Sequence, residues 1–169
     1  MKKTFFTSDQ HFSHGNIIKF CSRPFSCIED MNETLIANHN AVVRPEDDVY
    51  HLGDFAFKNH AMYRRRLNGT HHLIKGNHEG NGWKEAGFKW VREVAMIKVE
   101  GESVFLSHYA HRVWNRSHYN VIHLYGHSHN SLAGYGKSMD VGVDCNNYYP
   151  FEFEEIKQIL KNIDCIRHH

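Results

Sequence analysis

Cysteine is sparse and unpatterned in this 169-residue chain: Cys21, Cys27, Cys145 and Cys165 are scattered, with no C-x-x-C pair. That excludes a zinc ribbon and a thioredoxin-type motif, and it favours free thiols in a reducing compartment. Cys21 and Cys27, close in sequence, read as two small apolar residues. Charge of one sign is lacking as well. Twenty Lys and Arg stand against nineteen Asp and Glu, a formal net charge of +1, so no general field steers the chain onto nucleic acid or an anionic membrane. No apolar run approaches the roughly 18 residues of a membrane span, and Met1-Lys2-Lys3 leads straight into a strand-like run with no apolar leader. A cytoplasmic protein without membrane contact is expected. Repeats, low-complexity tracts and linkers are also missing, and the length suits one core, so residues 1–169 read as a single domain.

What the chain has in excess is histidine, sixteen in all, and imidazole is the commonest protein metal ligand. Many of these histidines fall into polar clusters after strand-like runs. Lys3 to Ser8 is β-branched and aromatic and stops at Asp9-Gln10-His11. Val49 to Leu52 stops at Gly53-Asp54, His72 to Ile74 at Gly76-Asn77-His78, Ser103 to Leu106 at Ser107-His108, and Val121 to Tyr125 at Gly126-His127-Ser128-His129. Between them, Ile28 to Val43 carries Met31, Leu35 and Ile36 at helical spacing, with His39 or Val42 continuing the face, and Pro45 follows. Lys58 to Leu67 reads as a second helix, broken by Asn68-Gly69.

The later chain is richer in strands. Phe88 to Val99 and Ser103 to Leu106 flank a hairpin-like turn, Ser138 to Asp144 alternates, and Pro150 opens a closing helix over Glu152 to Ile163. Helices alternating with strands first, then strand after strand, predict an α/β fold of two mixed sheets with helices outside. In such folds the loops beyond the carboxyl ends of strands form the functional crevice.

A serine nucleophile does not suit these clusters, since no G-x-S-x-G elbow occurs. Nitrogen and oxygen donors outnumber what one catalytic zinc takes, about three protein ligands. The surplus argues for two ions, which need a bridging carboxylate. Asp54, alone after Gly53, is the candidate bridge.

Asp9-x-His11, Gly53-Asp54, Gly76-Asn77-His78-Glu79, His108 and Gly126-His127-Ser128-His129, in this order, resemble the five motifs of the calcineurin-like metallophosphoesterase superfamily, in particular its short bacterial and phage-like branch. The resemblance spans residues 4–144 and implies a four-layer αββα sandwich. It implies that Asp9, His11, Asp54 and His129 bind one divalent ion, and that Asp54, Asn77, His108 and His127 bind the other. Manganese leads as the metal, with iron, nickel, zinc and magnesium as alternatives. It further implies that a hydroxide held between the ions attacks phosphorus, and that His78 contacts phosphate and protonates the leaving group. Glu79 stands where Asp is often found, and its expected task is to orient His78.

Outside the motifs, His14, Asn16, Arg23 and Arg112 are candidate substrate contacts. Asp140 and Asp144 are candidates either for a bond to a ligand histidine or for a plain turn role. Tyr109, His111, Trp114 and His118 either stack on a substrate ring or pack beneath their loop. Arg64-Arg65-Arg66 reads as a solvated face. His39, His51, His60, His71, His72 and His123 read as surface or satisfied core residues, and His168-His169 is left unassigned. The expected function is hydrolysis of a phosphate ester, with small phosphodiesters favoured. Monoesterase or nuclease action on the same site is the alternative, with nucleic acid entering only as substrate, and a non-catalytic metal-stabilised scaffold is the reading from a different class. The sequence says nothing of oligomeric state.

Overall fold

The computed structural model describes residues 1–167, so His168 and His169 lie outside the described residues. The chain opens as strand β1 (Thr4–Thr7), whose alternation sends Phe6 to one face of a sheet and Phe5 to the other. Residues 16–20, which the sequence reads as loop, form a one-turn helix α1 (Asn16–Phe20) because Ile17 finds a buried site against the next helix. That helix, α2 (Ile28–Val42), buries Met31, Leu35, Ile36 and His39 and leaves Val42 exposed. Strand β2 (Asp48–His51), helix α3 (His60–Arg66) and strand β3 (Thr70–Ile74) follow as their periodicity predicts.

The run from Phe88 to Val99 divides between sheets. Strand β4 (Val91–Arg92) pairs with β3, whereas β5 (Val94–Val99) crosses to the second sheet and pairs with β6 (Glu102–Ser107). Strands β7 (Ile122–Tyr125) and β8 (Ser138–Asp140) extend that second sheet. β8 stops four residues short of the predicted end, since Asp140 Oδ1 accepts the Gly142 N–H at 2.7 Å and Val143–Cys145 turns as a 3₁₀ helix. The closing helix α4 (Phe153–Leu160) is preceded by a short strand, β9 (Phe151–Glu152), antiparallel to β1.

Both sheets are mixed, ordered β4-β3-β2-β1-β9 and β5-β6-β7-β8, and the fold is an α/β sandwich flanked by helices, as expected. Phe6, Leu52 and Ile74 meet Val104, Leu106, Ile122 and Leu124 in the core between the sheets, with Phe153, Ile156 and Leu160 of α4 against it. Helices α1, α2 and α3 pack on the first sheet through Ile17, Met31, Leu35, Ile36 and Tyr63. The cover beside Phe105 of the second sheet is thin, made by Trp114, Val121 and Ile166. β1, β2 and β3 run parallel, as do β6, β7 and β8. This brings the loops after β1, β2, β3, β6 and β7 to one edge.

Candidate metal centre

At that edge the backbone leaves its comfortable region. Asp9, His11, Asp54, His127 and His129 all have positive φ, between 45° and 67°, a conformation costing a non-glycine residue about 1–3 kcal/mol and persisting where surrounding contacts enforce it. Here those contacts are hydrogen bonds between the loops. The Asp9 N–H donates to Gly53 O (3.0 Å), the His11 N–H to Asp54 O (2.9 Å) and the Gly126 N–H to His108 O (3.0 Å), while the His127 N–H donates to Asp9 Oδ2 (2.8 Å). Gly53 has φ of +103°, and a Cβ there would run into His108 Nδ1 and the Gly76 backbone. The glycine before Asp54 therefore makes room for the His108 ring and a neighbouring loop.

The side chains these loops present form two clusters of donor atoms, one of Asp9, His11 and His129 and one of Asp54, His108 and His127. Asp9 Oδ1 lies 3.9 Å from both His11 Nε2 and His129 Nε2. Asp54 Oδ2 lies 3.6 Å from His11 Nε2 and 3.6 Å from His108 Nε2, so this one oxygen joins the two clusters. Such separations suit donors surrounding an ion at about 2.0–2.2 Å from each. Asp9 Oδ1 and His11 Nε2 are buried and have no hydrogen-bond partner, a costly condition that a cation relieves. Burial pushes the Asp9 carboxyl up to about 7 and, with help from the Arg23 charge and neighbouring imidazoles, pushes His11 down to about 2. The imidazole is thus neutral with its lone pair available, and burial disfavours the ionised carboxylate by more than the nearby His129 and Ser8 support it.

Partners behind the rings aim them. The His108 Nδ1–H donates to Leu52 O at 2.7 Å, leaving its Nε2 as a lone pair facing Asn77 Oδ1 at 3.0 Å. Two acceptors pointed at each other are compatible with a shared cation and not with a hydrogen bond of the neutral ring. His129 Nδ1 bonds Asp144 Oδ2 at 2.7 Å, the carboxylate–histidine pairing that orients metal-binding imidazoles. Asp140 takes the other course. It accepts from Ser128 Oγ (2.6 Å) and the Asn130 N–H (3.1 Å), holding the loop.

No family model matches the sequence. An uncharacterised protein of Methanocaldococcus jannaschii is 36% identical over an alignment covering 99% of this chain and 96% of that protein. The chain belongs to the family of that archaeal protein. A solved structure of similar form, that of a protein of unknown function from Aquifex aeolicus, superposes with a TM-score of 0.78 at 26% identity, covering 94% of this chain and all of the other. Yfce, a phosphoesterase from E. coli, aligns over 83% of this chain and 78% of its own with a TM-score of 0.45 and 18% identity, a likeness too loose to carry weight. The two mixed sheets agree with the fold expected from the sequence, and the five motifs lie at five adjoining loops. Among the described residues no helix is long and apolar enough to cross a membrane.

Several residues outside the donor set have tasks other than those expected. Glu79 does not orient His78. It is buried and clamps two motif loops, Oε2 accepting the N–H groups of Gly76 (2.6 Å) and Asp54 (2.8 Å) and Oε1 that of Phe55 (2.7 Å). Burial still pushes its carboxyl upward against those three donors. Arg23, a candidate substrate contact, is buried beneath the loops. Its guanidinium grips Asp144 at 2.8 and 2.7 Å and donates to Asp9 O (2.7 Å) and Gln10 O (3.2 Å), which leaves it tying β1's loop to the acid behind His129. Arg112 sits over the Tyr135 ring, 5.2 Å away, and lines a cavity of about 200 Å³ with Tyr125 and Leu132 that includes no proposed ligand. Asn16 is exposed as the first residue of α1. His14 does lie beside the donors, its Nδ1 3.2 Å from His11 Nδ1, and His78 is exposed at the rim with its ring centroid 5.8 Å from that of His11.

His39, His51, His60, His71, His72 and His123 are all buried. Gln10 Nε2–H donates to His51 Nδ1 (2.9 Å), His51 Nε2–H to His71 Nδ1 (2.7 Å), and the Nε2–H groups of His71 and His39 to Asn68 O (3.0 and 2.8 Å). The carbonyl at the end fixes every tautomer in the row, and Gln10 connects it to the first motif. Sequence reasoning missed this row, since partners 20 to 41 residues apart leave no local pattern.

Proposed function

We propose that this protein is a binuclear metal-dependent phosphoesterase, and that small phosphodiesters are its preferred substrates. The observation that carries the reading is Asp54 Oδ2, equidistant at 3.6 Å from a ring nitrogen of each donor cluster. In this reading Asp9, His11, Asp54 and His129 hold one divalent cation and Asp54, Asn77, His108 and His127 the other, with manganese the leading choice. Bound there, two cations neutralise phosphate oxygens and acidify water. The protein's own residues do the rest. Asp54 Oδ1 accepts the His78 N–H at 2.8 Å, which fixes the backbone of His78 to the bridging carboxylate and keeps its exposed ring over the donors. From the rim that ring can donate a proton to a departing ester oxygen. Asp144 and the Leu52 carbonyl hold the ligand rings in the tautomer that presents Nε2.

The test is turnover by metal-reconstituted protein on matched mono- and diesters at one salt concentration, with elemental analysis of the same sample. Two ions per chain and a higher kcat/KM for the diester of each pair are expected. Saturation at one ion sinks the binuclear assignment, and a tenfold monoester preference, or nuclease activity outpacing small-diester hydrolysis, sinks the substrate choice.

His78→Ala should reduce turnover by about 10²–10⁴ while leaving both ions in place. The loss should be larger for alkyl than for nitrophenyl leaving groups, because only the former need a proton. Equal losses would reduce His78 to a phosphate contact.

A further inference from the structure

Resting on the phosphoesterase reading, we infer that Phe57, His14 and Phe20 form a stacking platform for a planar ring carried by the substrate, such as a nucleobase or an aryl group. Two phenylalanines from separate segments are left conspicuously in water here: Phe20 is 74% and Phe57 49% exposed. Both converge on one imidazole. Phe57 lies parallel to His14 (centroids 4.9 Å apart, 17° between planes) and Phe20 stands edge-on to it (6.5 Å, 76°). His14 is in turn beside the proposed chemistry, its ring 5.2 Å from His11 and 5.9 Å from His78. A group joined to phosphorus through one ester oxygen is therefore within reach of these rings.

The backbone holds the platform still. The Phe57 N–H donates to Phe12 O (2.8 Å) and the His14 N–H to His11 O (3.0 Å), so both rings are anchored to the loop that bears Asp9 and His11. An exposed apolar surface built from ring faces selects by shape and π-contact, which favours a flat nucleobase or aryl ring over a short alkyl group. No charged side chain is needed for such recognition, and it tolerates different bases because each offers a π-face. Tyr109, half-exposed with its ring 4.7 Å from His127, lies on the other cluster and leaves the His14 arm to be tested by itself.

The experiment is calorimetric binding of adenosine 5′-monophosphate and ribose 5-phosphate to the metal-loaded protein, alongside turnover on nitrophenyl esters. The nucleotide should bind about 5- to 150-fold tighter, the range of one stacked base. Phe57→Ala should bring the ratio close to one with ribose 5-phosphate affinity unchanged, and Phe57→Trp should preserve it. Should Phe57→Ala fold poorly, Phe20→Ala, at the more exposed position, tests the same ratio. A wild-type ratio near one, or a ratio unmoved by these alanine variants, overturns the platform. The two readings part cleanly: turnover with no ring preference removes the platform alone, and ring preference with no turnover on any ester removes the hydrolytic reading.

Discussion

Asp54→Asn should bind fewer than two ions per chain and lose turnover on the order of 10³-fold. The substitution keeps the shape of the side chain and can keep the Oδ1 acceptor for the His78 N–H, but it deletes the charge on the oxygen that faces both His11 and His108 at 3.6 Å. One neutral oxygen cannot hold two dications against their mutual repulsion as a carboxylate can. Removing an exposed carboxylate such as Asp30 should change neither quantity. Elemental analysis and single-substrate kinetics on the two variants decide the matter. Full activity with both ions retained in Asp54→Asn would move the bridge to another residue.

The parts of this molecule legible in the sequence are those with a local period or a local chemical surprise. Met31, Leu35 and Ile36 announce α2 because a helix repeats its buried face every three to four residues. The motif loops announce themselves because acids and imidazoles at the ends of apolar strands are expensive without a purpose. Where the run Phe88 to Val99 switches sheets at Glu93, nothing local marks the event. Both halves are good strands, and only the separate partners, β3 for one and β6 for the other, divide them. The two-residue β9 is hidden for a similar reason, since its pairing with β1 joins positions nearly a chain length apart.

The same distinction runs through the site. Donor atoms were legible because their residue types declare their chemistry, whereas the residues that hold them do not. Arg23 and Asp144 meet across 121 positions, and nothing near Arg23 separates a guanidinium that would greet a phosphate from one buried under Asp9 and Gln10. Glu79 adjoins His78 in sequence, which suggests a shared task. Three backbone N–H groups from two loops claim its carboxylate instead. Gly53 shows the limit from the other side: a reason for glycine was foreseeable, but the His108 ring that supplies it comes from another sheet.

The buried histidine row should make the fold acid-labile. Burial holds His39 down to about 4, and it lowers His51, with the His71 and His39 rings and the Arg64 charge adding to the effect, and His71, where the Arg64 charge and the His39 ring add to it. His123, buried against Phe105 O and the His111 N–H, is also pushed to about 4. All four are neutral in the native state near neutrality. An unfolded histidine takes its proton at about 6.5, so below that pH the unfolded chain binds more protons and stability falls as pH falls. The contribution is complete above pH 6.5 and is lost on descent toward the folded values. Each group costs up to about 1.4 kcal/mol per pH unit within the window, and four reach about 8 kcal/mol by pH 5, comparable with the 5–15 kcal/mol that stabilises an ordinary domain. Asp9 works in the opposite direction when no cation is bound, since its raised pKa lets the native state take up a proton near 7. His11, pushed down to about 2, works with the row and nearly offsets Asp9, so the net slope should be about 3–5 kcal/mol per pH unit between pH 6.5 and 5. Urea unfolding followed across that range measures it, and His39→Gln should reduce the slope by about one proton's worth. A stability curve flat from pH 7 to 5 would show that these rings are not held neutral, and that the row from Gln10 to Asn68 does not keep the tautomers its carbonyl end demands.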